Sequence, residues 1–184
     1  LAQQEKIVQY NVQSSEKEKF DGVMLDIEPY ISDSWKENPE EYMDRYISCM
    51  KKGYKFAQKN HLRTAICIPR HYDNQGLTSG LEELIKETCD EVAVMNYSCG
   101  NEIEAIRTEA ALSEKYGKEL HCILEFQEVG KHGLTENKTY RNKGIDNAKE
   151  TWEKLQKEYK NINVTRDYHW SRPVREMLEE KNAD

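Results

Sequence analysis

Phe20-Asp21-Gly22-Val23-Met24-Leu25-Asp26-Ile27-Glu28-Pro29-Tyr30 decides how the rest of the chain is read. An apolar run from Gly22 to Leu25 leads into two carboxylates at i and i+2, and then into a proline. Side chains alternate faces along a strand, so the spacing predicts that Asp26 and Glu28 point the same way. A strand inside a parallel sheet reads as a continuous apolar run. Charges at its C-terminal tip therefore stand at the mouth of a dry wall. Pro29 lacks an amide hydrogen and predicts the end of the strand. Two carboxylates held together suit acid/base work, because each perturbs the other's ionisation. Solvated acids in a turn are the ordinary alternative. What lifts this stretch above that alternative is that the remaining chain repeats its layout.

Outward from this stretch, short apolar strands alternate with amphipathic helices. Strands are expected at 22–26, 64–68, 91–97, 120–126 and 162–168. Helices are expected at 1–15, 38–59, 80–88, 102–116, 143–159 and 173–181. Pro39 fits the first turn of the long second helix. Its stripe of Tyr42, Tyr46, Cys49, Met50, Tyr54 and Ala57 falls near helical spacing. Strict alternation implies an α/β fold with parallel strands and right-handed crossovers. No glycine-rich phosphate loop follows any strand, which argues against a nucleotide-binding doubly wound sheet. The expectation is a parallel (β/α) TIM-type barrel. A complete one takes about 250 residues. This chain has 184, and about five βα units can be read in it. The expectation is one domain, 1–184, forming the later, C-terminal part of a longer barrel. The remaining strands would come from a longer chain or another subunit. An incomplete barrel leaves apolar strand edges that something must cover.

Hydrophobic residues are 37% of the chain, charged residues 33%, and the net charge is −7. An acidic balance argues against a nucleic-acid partner or an anionic membrane surface. No apolar run reaches the length of a membrane span, and no signal peptide is read. The chain does not begin with Met, so a trimmed piece of something longer is expected, and its compartment is left open. Five scattered cysteines without a C-x-x-C pair argue against a disulfide framework or a zinc site. Cys67 and Cys122, within apolar strands, are expected as small buried hydrophobes.

Function in a parallel barrel collects at the strand tips. The first predicted strand ends in Asp26, Glu28 and Tyr30, and the second in Arg70, His71, Tyr72 and Asp73. The third ends in Asn96, Tyr97 and Ser98, and the fourth in Glu125 and Gln127. The fifth ends in Tyr168, His169, Trp170 and Arg172. Carboxylates that cleave glycosidic bonds and aromatic faces that stack on pyranoses make a sugar site. Tyr30, Arg70, Tyr72, Asn96, Gln127, Tyr168, Trp170 and Arg172 are the expected substrate-binding set. His71 and His169 match no metal-ligand spacing and are expected as ordinary histidines, with no metal and no cofactor.

Asp21-Gly22-x-x-x-Asp26-x-Glu28 resembles the D-G-x-D-x-D-x-E strand of family 18 glycoside hydrolases, the chitinase-like barrels. Met95-Asn96-Tyr97-Ser98 resembles that family's M-x-Y-D strand, and Trp170 its tryptophan at the end of the last strand. The Glu-Pro-Tyr ending is also similar to bacterial barrels described as glycoside hydrolases. The resemblance implies a retaining glycoside hydrolase acting on an oligosaccharide or glycoside. Glu28 would protonate the glycosidic oxygen. Asp26 would orient the 2-acetamido group as it attacks the anomeric carbon. Tyr97 would hydrogen-bond that group, and Trp170 would stack under the ring. Met24 and Ser98 stand where the family has acids, which leaves a non-catalytic carbohydrate-binding barrel as the alternative. Clan A retaining glycosidases are similar in another way: an acid/base glutamate before proline on strand four, and a nucleophilic glutamate on strand seven. Glu28-Pro29 and Glu125 would fill those places, though Ile27 replaces the usual asparagine. Glu125 could also simply pair with Arg70 or Arg172.

Overall fold

The computed structural model describes residues 1–183. Its strands are β1 (Gly22–Asp26), β2 (Arg63–Pro69), β3 (Glu91–Met95), β4 (Glu119–Leu124) and β5 (Val164–Tyr168). They form one sheet in chain order, β1-β2-β3-β4-β5. The pairing of β1 with β2 is parallel, with Gly22 beside Arg63 and Asp26 beside Cys67. So is that of β4 with β5, with Leu120 beside Val164 and Leu124 beside Tyr168. Helices alternate with the strands, as parallel pairing demands. They are α1 (Ala2–Gln13), α2 (Asp33–Glu37), α3 (Pro39–Lys59), α4 (Thr78–Thr88), α5 (Glu102–Ala105), α6 (Arg107–Tyr116), α7 (Ile145–Glu158) and α8 (Ser171–Ala183). The chain is thus α/β, built from a five-stranded parallel sheet and alternating helices. It divides into two compact units, Leu1–Val92 and Ala93–Asp184.

In the first unit, α3 packs against β2 and α4. Pro39 occupies its first turn, where a missing amide hydrogen costs nothing. Its buried face carries Met43, Tyr46, Ile47, Met50, Gly53 and Ala57. The expected stripe is therefore rotated: Cys49 is exposed, while Tyr42 and Tyr54 lie at the rim. A tyrosine can keep its hydroxyl wet while its ring packs, and Tyr54 uses its own to donate to Asp90 at 2.7 Å. Only one side chain of α1 is fully buried. This is Gln4, whose Nε2 donates to the carbonyl of Gly53 at 3.1 Å. Ile7 and Val8 of α1 add to a small cluster around Val23, Ala57 and Leu62. Gly22 starts β1 because a Cβ there would stand 3.0 Å from the Arg63 carbonyl oxygen.

In the second unit, α7 packs on β5, α5 and α8, while α6 packs on β4. Trp152 of α7 donates its indole N–H to the Cys122 carbonyl at 3.0 Å. The helix expected over 102–116 is two helices. Ile106 leaves helical dihedrals at φ −125° and is fully buried between them. Gly117, at φ 63°, closes α6 in the left-handed conformation that suits glycine. Cys67 and Cys122 are buried, as expected of small apolar residues in strands. Among the described residues no helix is long and apolar enough to cross a membrane.

The strands differ in burial. β2 is buried along all but its first residue, and Val92, Ala93 and Val94 of β3 are fully buried. β1 and β5 end the strand order and are more open. Met24 is 50% exposed on β1, and Tyr168 is 49% exposed on β5. They are the two edge strands of the sheet.

Candidate functional site

The polar residues of the strand tips fall into two groups, one in each unit. In the first unit, Asp26 is the last residue of β1 and is exposed. Glu28 has already left the strand, with φ −108° and ψ 74°, and opens a short 3-10 turn, Pro29–Ile31. The ladder thus ends at Asp26, ahead of Pro29, which starts the turn. Ser32 then caps α2 by accepting the Trp35 N–H at 3.2 Å. This brief helix carries no periodic pattern, and its visible signal is the cap alone.

Glu28 is half-buried, and the Tyr30 phenol donates to its Oε1. Burial, and then this carboxylate partner, push the Tyr30 phenol well above the usual range, so it stays a donor at neutral pH. Tyr30 belongs to an aromatic wall. Its ring meets His71 edge-on at 5.2 Å and Tyr72 at 6.1 Å, and Tyr72 packs on Trp35 at 5.6 Å. Burial, reinforced by the Arg70 charge, holds the His71 imidazole below its ordinary range and so neutral. Tyr72 is fully buried, and its hydroxyl has no hydrogen-bond partner among the described residues. The tip therefore joins Glu28, Tyr30 and Tyr72, with Asp26 open to solvent beside them in the chain. Trp35 was not foreseen; its helix is too short to show a periodicity.

In the second unit, Glu125 follows β4 directly and is 2% exposed. Four donors converge on it. The backbone N–H groups of Phe126 and Gln127 donate to Oε1, each at 2.8 Å. Gln127 Nε2 lies 3.2 Å from Oε2, and His169 Nδ1 lies 2.8 Å from the same oxygen. Burial would raise this carboxyl's pKa. The His169 contact and the backbone donors overcome it, and the group is held below the usual carboxylate range. Its side-chain partner is therefore the His169 imidazole, while Arg172 pairs with Glu176 at 2.9 Å. The loop after Gln127 folds back to support the site. Thr139 Oγ1 donates to the Gln127 carbonyl at 2.7 Å, and the Tyr140 N–H donates to the Glu125 carbonyl at 2.8 Å.

Tyr97 is half-buried, with its ring 6.1 Å from that of His169. Asn96 turns inward. It is 1% exposed, and its amide donates to the Glu102 carbonyl at 2.9 Å. Tyr168, Trp170 and Arg172 are exposed. Trp170 is 50% exposed and takes a left-handed backbone, φ 65°, between β5 and α8. For a bulky residue that conformation is strained. The structure thus gathers Glu125, Gln127, Tyr97 and His169, with Asn96 committed to the core. His169, expected from the sequence as an ordinary histidine at the fifth strand tip, lies against Glu125. Its signal was positional: it directly follows β5, and its N–H bonds the Leu124 carbonyl at 2.9 Å, one residue before Glu125.

This chain matches no protein-family model, no curated protein and no solved structure with which it was compared.

Proposed function

We propose that this chain is a carbohydrate-active domain of (β/α)-barrel type, a retaining glycoside hydrolase with Glu28 as general acid/base and Asp26 assisting. The observation that carries the reading is the tip of β1. Two acids stand there in succession, and Glu28 is held by a phenol within an aromatic wall of Tyr30, His71 and Tyr72. An acid gripped by one neutral donor keeps its remaining lone pairs for a proton in transit. Parallel strands alternating with helices support the barrel reading. Resemblance to the chitinase-like barrels supports substrate-assisted chemistry, in which Tyr97 would hold an acetamido group and Trp170 would stack on a ring.

The state of Glu125 favours this over double displacement. A nucleophile needs a free lone pair directed at the anomeric carbon. Glu125 is buried and accepts from four donors. That arrangement suits a group that orients His169 and Gln127. A non-catalytic sugar-binding domain is the second reading. It draws on Met24, half exposed where the resembling motif carries an acid.

The test is hydrolysis of aryl glycosides and oligosaccharides, with and without a 2-acetamido group, by wild type and Glu28→Gln. Cleavage confined to N-acetyl sugars and abolished by the substitution is the expected result. Cleavage of plain sugars would return the nucleophile to Glu125. Sugar binding without turnover in a folded protein would establish the second reading instead.

A further inference from the structure

We propose that the cleft beside Trp170 is a subsite for the carboxylate of an acidic sugar, a uronate; this rests on the carbohydrate reading above. The cleft has a volume of about 180 Å³, and its walls include Gln127, Lys131, Arg141, Trp170 and Arg172. All of them belong to the second unit. Glu128 and Glu176 also line it, so its three cations outnumber its acids in a chain of net charge −7.

Two of these cations make exposed ion pairs within their own segments. Lys131 pairs with Glu128 at 2.9 Å, and Arg172 with Glu176 at 2.9 Å. Exposed pairs of this kind are weak and exchange readily for a ligand. Arg141 differs. Its side chain is 17% exposed, and Nη2 donates to Glu180 at 2.7 Å. Nη1 is buried and has no acceptor among the described residues. A guanidinium fork matches the two oxygens of one carboxylate. Here it holds a single oxygen, supplied by a side chain that is 62% exposed. A ligand carboxylate that displaces Glu180 would satisfy both arms and relieve the buried donor.

Trp170 supplies the second, independent observation. Its left-handed backbone, φ 65°, presents a half-exposed indole at the same cleft. Strained bulky residues of this kind concentrate at ligand sites. The Arg172 guanidinium lies 5.9 Å from the indole ring. An indole with a cation stationed over its ring and further cations in the same cleft fits a pyranose that is apolar on one face and carries a negatively charged substituent. Gln127 connects the cleft to the buried carboxylate, since its Nε2 donates to Glu125 Oε2 at 3.2 Å.

The experiment is a fluorescence titration of the full chain. Trp35 and Trp152 are buried, so quenching by added sugar reports on Trp170. The probes are methyl glucuronoside, methyl glucoside, glucose 6-sulfate and acetate. The glucuronoside should bind at least about tenfold tighter than the glucoside, the advantage of one charge-assisted bidentate contact. Arg141→Met, which keeps the apolar stem, should erase that advantage and leave glucoside binding unchanged. Arg172→Met, at an exposed position, should reduce it several-fold without disturbing the fold. Tighter binding of the sulfate than of the glucuronoside would overturn the carboxylate assignment. Equal affinity for glucuronoside and glucoside would overturn the acidic subsite and leave the carbohydrate reading standing. Acetate binding as tightly as the glucuronoside, with no glucoside binding, would overturn the sugar reading itself.

Discussion

Replacing Glu125 with Gln tests whether its carboxylate is an anchored anion. The substitution keeps the shape and one oxygen, but removes the charge and puts an NH2 group where Oε2 was. The two backbone donors of Phe126 and Gln127 can still reach an oxygen. The Gln127 amide and His169 would then face a donor. Hydrogen bonds to a charged group contribute about 1.5–3 kcal/mol each. Removing the charge also relieves its own desolvation, which offsets part of the loss. A net destabilisation of about 2–3 kcal/mol follows for such a group. In a chain of this size that lowers the melting temperature by roughly 4–12 °C. The assay is thermal and urea unfolding followed by tryptophan fluorescence, with Trp152 as the buried reporter in the second unit. The pH dependence sharpens the test. The folded pKa of Glu125 lies below the ordinary carboxyl value of 4.5. Its ionised form therefore stabilises the fold fully above that value, and the contribution fades as pH falls through the folded pKa. The gap between wild type and variant should be largest near neutrality and shrink in acid. A gap that is absent at pH 7, or the same at pH 3.5, would refute the anchored-anion account. Glu128→Gln, at an exposed position three residues on, should leave unfolding unchanged.

Other predictions concern packing and the phenols. Gly80→Ala would place a Cβ 2.5 Å from Cγ of the buried Met43; overpacking should outweigh the gain in helix propensity and destabilise by about 1–2 kcal/mol in urea titration. Gln4→Ala leaves the Gly53 carbonyl without its side-chain donor; α1 should become the first segment cut in limited proteolysis, at a cost of about 1–2 kcal/mol. Burial raises the phenols of Tyr30, Tyr46, Tyr72 and Tyr140, and pushes Tyr159 up to about 12. A raised phenol is neutral in the fold where the unfolded chain is ionised, so stability should fall as pH rises beyond about 10. Absorbance titration at alkaline pH should accordingly reveal fewer titrating tyrosines in the native protein than after urea unfolding.

By itself the sequence determined the local elements and their order. Apolar runs of four to seven residues, each followed by a helical pattern, have one economical solution in parallel strands with crossovers, and β1 through β5 appear in that order. Proline and glycine mark the breaks: Pro29 opens the turn after β1, Pro39 starts α3 and Gly117 closes α6. Those signals act through the backbone within a few residues, so they can be read locally. Tertiary structure decided the rest. Which face of α3 is buried depended on where β2 and α4 press on it, and Met43 and Ile47 went inside while Cys49 stayed out. Asn96 and Glu125 were equally polar strand-tip residues in the sequence. One spends its amide on the Glu102 carbonyl in the core, and the other becomes a buried anion. Glu125 acquires that character from His169, 44 positions away, brought beside it because β4 and β5 pair. No local pattern carries such a contact. Desolvation and hydrogen bonding act through space, and only folding decides which charges share it.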